Sequence, residues 1–262
     1  MKKIAIIGGG NLGSSIAEGL AKEEEIDAAS ITVTRRKLEK IEHLKNMGIR
    51  ITSDNRDAVR NAEVIITAVK PYNIESIIGE FKDELIPDRH ILISVVTGVS
   101  LEKLASFIGK PIPVFRAMPN TAIAIQESMT CISGDLTLKT EAELVEGIFD
   151  RLGKTVFIEE ALMDAATVLG ACGIAYALRF IRAASQGGIE IGFSADEAQT
   201  IAAQTVKGAA ALLTKGGSHP EREIDKVTTP MGCTIAGLNE MEHQGFSSAL
   251  IKGVITSYNK IN

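Results

Sequence analysis

Lys3-Ile-Ala-Ile-Ile-Gly-Gly-Gly-Asn-Leu-Gly-Ser-Ser-Ile-Ala-Glu-Gly-Leu20 carries two patterns in succession. Ile4 to Ile7 is an apolar run without alternation, as a strand buried on both faces requires. Leu12, Ile16 and Leu20 then recur at helical spacing. Between them Gly8, Gly10 and Gly13 fall as G-x-G-x-x-G, and a strand–turn–helix around that spacing is the context of a dinucleotide-binding turn. The chemistry is particular to glycine. Gly8 permits the tight turn, Gly10 lets the backbone approach a pyrophosphate, and Gly13 lets helix and strand pack closely. The first helical N–H groups, unpaired and partly positive, complete an anion site.

Outward from this turn the alternation continues. Strands are expected at Ile31–Thr34, Ile49–Ile51, Val64–Val69, Ile91–Val95, Val114–Met118, Met129–Ser133 and Lys154–Ile158. Between them lie a Leu38/Ile41/Leu44/Met47 helix ended by Gly48, a short helix capped by Asp54-Asn55, and an Ile74–Leu85 helical face. Further helices are expected over Leu101–Ile108 and after Thr140, which has capping-box spacing to Glu143. This predicts a doubly wound, mostly parallel sheet, with room for antiparallel strands at one edge. From about residue 161 no convincing strand follows. The small-residue run 161–182 reads as a helix buried in a bundle or dimer interface and broken at Gly187-Gly188. Ser194 and Glu197 open the next helix, with Ile201, Thr205, Ala209 and Leu212 inward, and Gly216-Gly217 ends it. Pro220 starts a short one through Val227, Thr234 caps another, and Leu250, Ile251, Val254 and Ile255 mark the last. We therefore divide the chain into 1–160, α/β, and 161–262, all-α.

Bulk properties exclude several classes. The 262 residues are 45% hydrophobic, enough for a packed core, and the net charge of −5 gives no reason to expect nucleic acid or an anionic membrane surface. Cys131, Cys172 and Cys233 are scattered and odd in number, so neither a disulfide framework nor a metal site is expected, and a reducing, cytoplasmic setting fits. The central uncharged run Ala165–Leu178 is shorter than the ~20 residues of a bilayer span.

The slot after the second strand bears on the cofactor. An NAD site places Asp or Glu there to meet the ribose 2′-hydroxyl. This chain has Thr34, Arg35 and Arg36. Guanidinium groups suit a 2′-phosphate, which favours NADPH while leaving NADH open; the plainer reading is a solvated basic turn.

Pro230-Met-Gly-Cys-Thr-Ile-Ala-Gly-Leu238 resembles the Pro-Gly-Gly-Thr-Thr-Ile-Ala-Gly-Leu signature of the pyrroline-5-carboxylate reductases, and Ile7–Gly13, Ala68-Val-Lys-Pro71 and Arg116-Ala-Met-Pro-Asn-Thr121 match that family in order. The resemblance implies a Rossmann domain followed by a helical dimerisation domain. It implies reduction of a cyclic imino acid to L-proline, the last step of proline biosynthesis, by a homodimer or larger homo-oligomer. It also implies site roles. Gly8, Gly9, Gly10, Asn11, Leu12 and Gly13 would hold the pyrophosphate, and Arg35, Arg36 and Asn55 would meet the adenosine ribose end. Ala68, Val69, Lys70, Pro71, Met118 and Asn120 would line the nicotinamide region. Thr234, with the N–H groups of Gly232 and Cys233, would bind the substrate carboxylate. One departure stands out: Gly170-Ala-Cys-Gly-Ile-Ala-Tyr176 replaces the family's Ser-Gly-Ser-Gly-Pro-Ala-Tyr. The rivals are a reductase of a related cyclic imine, a β-hydroxyacid dehydrogenase-like enzyme and a non-catalytic NADP-binding regulator. The dehydrogenases use a lysine on the long helix as base, and 161–193 contains none.

Overall fold

The structure is a computed structural model, and it describes residues 2–261. The chain divides into two compact units, one running to Cys172 and one over Gly173–Lys260.

The first unit is built on an eight-stranded sheet: β1 (Ile4–Ile7), β2 (Ile31–Thr34), β3 (Arg50–Thr52), β4 (Val64–Thr67), β5 (Ile91–Ser94), β6 (Val114–Met118), β7 (Ser128–Gly134) and β8 (Gly153–Phe157). The order is β3-β2-β1-β4-β5-β6-β7-β8. All pairs are parallel except β6–β7. The order reverses between β1 and β4, which opens a crevice at the carboxyl ends of these strands. Helices cover both faces. Ile4 and Ile6 pack toward α1 (Asn11–Leu20) and α5 (Lys139–Asp150), with Ile16, Leu20, Val145 and Phe149 in that layer. Ala5 and Ile7 point the other way, toward α2 (Asn55–Arg60), α3 (Ile74–Phe81) and α4 (Leu101–Ile108). Burial on both faces explains why the strands read as unbroken apolar runs.

Two local expectations give way here. Leu38, Ile41, Leu44 and Met47 do not form an α-helix but two 3-10 turns, Leu38–Lys40 and Glu42–Met47, separated by Ile41 at φ −128°. Their spacing is a strict three residues, the period of a 3-10 turn, where an α-helix needs alternating threes and fours. Gly48 closes the segment at φ +83°. Thr140 does not cap α5; the helix begins at Lys139 without a side-chain cap, and Asp135 instead organises the preceding turn by accepting from Thr137 N and Oγ1.

His90, buried at the entry to β5, accepts from Ile86 N at Nδ1 (2.7 Å) and meets the Ala62 carbonyl at Nε2 (3.1 Å). That pattern requires a neutral ring. Burial first, then the neighbouring Arg89 charge, lowers its pKa from 6.5. The unfolded chain therefore binds this proton more readily, and stability supplied by the neutral ring is present above pH ~6.5 and is lost as pH falls below it. Thermal melts from pH 7.5 to 5 should show the wild-type Tm dropping faster than that of His90→Gln. Parallel slopes would refute this role.

The second unit is entirely helical among the described residues. It comprises α7 (Gly173–Glu190), α8 (Ala195–Gly216), α9 (Pro220–Val227), α10 (Cys233–His243) and α11 (Phe246–Ile261); the short α6 (Met163–Ala166) and a π-helical segment, Thr167–Cys172, precede it. Glu160–Glu190 is one helical run of 31 residues, long and apolar enough by length and composition to cross a membrane; 17% of its most apolar window is buried in the single chain. The expected buried helix is thus longer, and more exposed, than the uncharged run alone suggested. Gly187-Gly188 does not break it. A Cβ on Gly188 would sit 3.0 Å from Ala198 Cβ, so glycine there serves the close approach of α7 and α8. The turn comes at Gly192, φ +114°. Ser194 and Glu197 form the capping box expected of them. The inward face of α8 is Ala198 and Ala202, not Ile201 and Leu212, which are about half exposed. Helices this closely packed leave room only for alanine, and the larger side chains project outward.

Candidate cofactor and substrate sites

The glycine turn has the geometry its spacing requires. Gly8 sits at φ +112°, where a Cβ would lie 2.5 Å from the Ala68 carbonyl oxygen, and a Cβ on Gly13 would lie 2.0 Å from the Gly8 carbonyl oxygen. Gly10, by contrast, faces open space within 4 Å and stands at the N-terminus of α1, which has neither a side-chain cap nor an acid in its first turn. Its N–H groups are left for a ligand. Thr34 braces the turn from β2: its hydroxyl accepts from Gly8 N (3.3 Å) and its carbonyl from Gly9 N (2.7 Å).

This turn forms one wall of a cavity of about 650 Å³ at the crevice. Gly8, Gly9, Gly10, Leu12, Arg35, Arg36, Asn55, Ala68, Val69, Lys70 and Pro71 line it; Asn11, Gly13, Met118 and Asn120 do not. Met118 is buried in β6, and Asn120 caps the turn that follows, its Oδ1 accepting from Ala122 N (3.0 Å) while Nδ2 donates to the Gly170 carbonyl (3.4 Å). Sequence reasoning missed Lys40, Ser53, Asn73 and the segment Val95-Val96-Thr97 as lining residues. The last could have been found from the rule that segments following parallel strands border the crevice. Arg116, beside Ser94 in register, is buried and pairs with Glu160 (3.1 Å), whose carboxylate also accepts from Leu101 N at the start of α4. An open, acid-free helix start beside a cation-lined wall fits a dinucleotide phosphate chain.

In the second unit, Gly232 rather than Thr234 is the N-cap of α10; Cys233 and Thr234 are its first two helical residues. No side chain caps this end and no acid lies in its first turn. A Cβ on Gly232 would meet Thr229 Oγ1 at 2.6 Å, so the turn excludes any larger residue. Thr234 therefore has no capping duty, and its half-buried hydroxyl makes no hydrogen bond among the described residues.

Fold and cavity define a Rossmann-type protein with a crevice suited to a dinucleotide. Residues 160–262 match a family described as "Pyrroline-5-carboxylate reductase dimerisation", and residues 3–98 one described as "NADP oxidoreductase coenzyme F420-dependent". The chain belongs to the pyrroline-5-carboxylate reductase family. It is 46% identical to pyrroline-5-carboxylate reductase 2 of Dictyostelium discoideum, covering 99% of this chain and 92% of that one. It is also 46% identical to pyrroline-5-carboxylate reductase 1 of that organism, covering 98% of this chain but 49% of the longer relative. The crystal structure of the Plasmodium falciparum pyrroline carboxylate reductase with NADP bound superposes with a TM-score of 0.90 at 26% identity, over 99% of this chain and 97% of that one. The chain is thus an oxidoreductase, a homo-oligomer, and acts on a small molecule. Leu169, Leu178, Ile191 and Leu212 expose apolar side chains in the single chain, as surfaces that associate commonly do.

Proposed function

We propose that this chain reduces 1-pyrroline-5-carboxylate to L-proline with NADPH, as a homodimer at minimum, in the cytoplasm. Residues 1–160 hold the cofactor, and 161–262 bind the substrate and associate. The observation that carries this reading is the presence, on one chain of this family, of two uncapped, acid-free helix starts: α1 behind the glycine turn and α10 headed by Thr234. The first suits a pyrophosphate and the second a carboxylate.

Bound NADPH supplies the hydride. The remaining work is positional. The N–H groups at Gly232, Cys233 and Thr234 and the Thr234 hydroxyl hold the substrate carboxylate and so fix the ring. Ala68, Val69, Lys70 and Pro71, with Val95–Thr97, shape the nicotinamide end and exclude water. The protonated imine accepts the hydride at carbon and the C=N bond becomes a C–N single bond, so the protein need not form a covalent bond. This fits the absence of an evident acid–base pair among the cavity residues.

Incubating the purified chain with NADPH and pyrroline-5-carboxylate tests the reading. NADPH absorbance should fall only when the imine is present, with proline appearing in equal amount. Cofactor binding without proline formation would leave the regulator reading standing instead.

A further inference from the structure

The buried strand β6 carries a charge where its neighbours are apolar. Arg116, between Phe115 and Ala117, is 4% exposed. A buried guanidinium needs partners for its N–H donors, and this one is sparsely served. Nη1 donates to Glu160 Oε1 (3.1 Å), while Nη2 stops 3.9 Å from Asp164 Oδ1. Nε, Nη2 and that Asp164 oxygen have no hydrogen-bond partner among the described residues. A buried ion pair with donors left over adds little stability over an apolar residue of similar volume, so the pair is better explained by what it holds in place. The same Glu160 oxygen accepts from Leu101 N (2.6 Å). Leu101 is the first residue of α4, and the Ser100 side chain that caps this helix serves Lys103 N instead (3.2 Å). The start of α4 is therefore held from 59 residues away. Between β5 and that point runs the loop 95–100. Its near end is tied to the sheet by Val95 N, which donates to the Thr67 carbonyl (3.0 Å), and Val95, Val96 and Thr97 line the cavity. Glu160 ties the far end.

We propose that Arg116 and Glu160 are positioning residues for hydride transfer. Arg116 orients the Glu160 carboxylate, the carboxylate holds the Leu101 N–H, and the loop 95–100 is thereby fixed at both ends against the nicotinamide. The inference rests on the reading above, in which Val95–Thr97 shape the nicotinamide end. It gives the buried cation a part in rate rather than in affinity. Hydride transfer depends steeply on the approach of donor and acceptor carbons, so a small displacement of this wall slows the reaction. The pyrophosphate turn follows β1, not β5, and its hold on the cofactor does not pass through this loop.

Stopped-flow single turnovers of the full chain test this, with NADPH bound and pyrroline-5-carboxylate in excess. The rate constant reports geometry and the amplitude reports the folded fraction. NADPH deuterated at C4 identifies the hydride step by its slower decay. Glu160→Ala removes the hold on Leu101 N and should lower the rate constant about tenfold or more, while the NADPH dissociation constant stays within about threefold. Glu160→Gln keeps an oxygen able to accept from both Arg116 and Leu101, and should recover most of that loss. Leu101→Pro cuts the tie from the other side. It deletes the N–H at the first helical position, which tolerates proline, and Ser100 already has the extended backbone, φ −72° and ψ 160°, that precedes a proline. It should slow the step as Glu160→Ala does, and it decides the matter if that variant folds poorly. Wild-type rate constants in folded Glu160→Ala or in Leu101→Pro, with only amplitude or Tm reduced, would overturn the inference and leave the reading above intact. So would a Gln variant as slow as Ala, or an NADPH affinity that falls in step with the rate. A wild type that forms no proline would overturn that reading and this inference together.

Discussion

Gly13→Ala should lose both fold stability and cofactor affinity, whereas Gly10→Ala should lose affinity alone. An added Cβ at Gly13 meets backbone, 2.0 Å from the Gly8 carbonyl oxygen and 3.2 Å from Ala68 Cβ. No side chain can rotate away, so α1 must lift off β1 or the turn must open. Overpacking of this kind costs about 1–3 kcal/mol, with ~2–4 °C of Tm per kcal/mol for a domain of this size. Because the same carbonyl belongs to the turn proposed to offer its N–H groups to the pyrophosphate, NADPH affinity should fall at least roughly tenfold as well. At Gly10 a Cβ meets nothing within 4 Å and φ is −79°, which any residue adopts. Its Tm should therefore stay within about 2 °C of wild type. Its methyl group, however, occupies the space where a phosphate must approach the backbone. Paired melts and NADPH titrations separate the two. Normal NADPH affinity in Gly10→Ala would show that the pyrophosphate does not lie over this turn.

Thr234→Val is the second large effect. As the second residue of α10 rather than its cap, Thr234 contributes no side-chain bond to the helix end. Valine keeps its shape and β-branching and removes only the hydroxyl, so Tm should hardly move. If the hydroxyl binds the substrate carboxylate, the lost bond to a charged group is worth about 1.5–3 kcal/mol, and kcat/KM for pyrroline-5-carboxylate should fall roughly ten- to a hundredfold. NADPH binding, centred on the Gly8 turn, should be preserved. Unchanged turnover with an unchanged Tm would remove Thr234 from the site. Gly232→Ala gives a harsher version of the same test, since its Cβ would sit 2.6 Å from Thr229 Oγ1 and must displace the loop that aims the N–H groups.

What the sequence determined by itself is what local chemistry controls. Unbroken apolar runs at 4–7, 64–66 and 91–93 are satisfied with both faces covered, which favours a parallel sheet under helices. Gly8 and Gly13 leave the backbone one way to turn, because any other residue collides with it. Ser194 and Glu197 close a capping box wherever the helix goes, since both partners lie within one turn. The 3-10 turn at 38–40 was also written in the spacing, although a stripe of apolar residues alone suggested an α-helix.

Tertiary structure decided what depends on residues distant in sequence. Arg35 reads as a phosphate ligand from its slot, yet the carbonyl it meets belongs to Gly9, 26 positions earlier. Val95–Thr97 and Ser53 follow strands and so border the crevice, but that they share one cavity is settled by the strand order, which reverses between β1 and β4. Thr234 and Gly232 differ in role by two residues of helix register, Gly232 being the N-cap where a Cβ would collide with Thr229 and Thr234 the second helical residue. The alanine face of α8 was likewise chosen by helix approach at Gly188 rather than by hydrophobicity. A hydrophobic pattern states that a face must leave water; which surface takes it in is settled only when the helices, and the copies of the chain, come together.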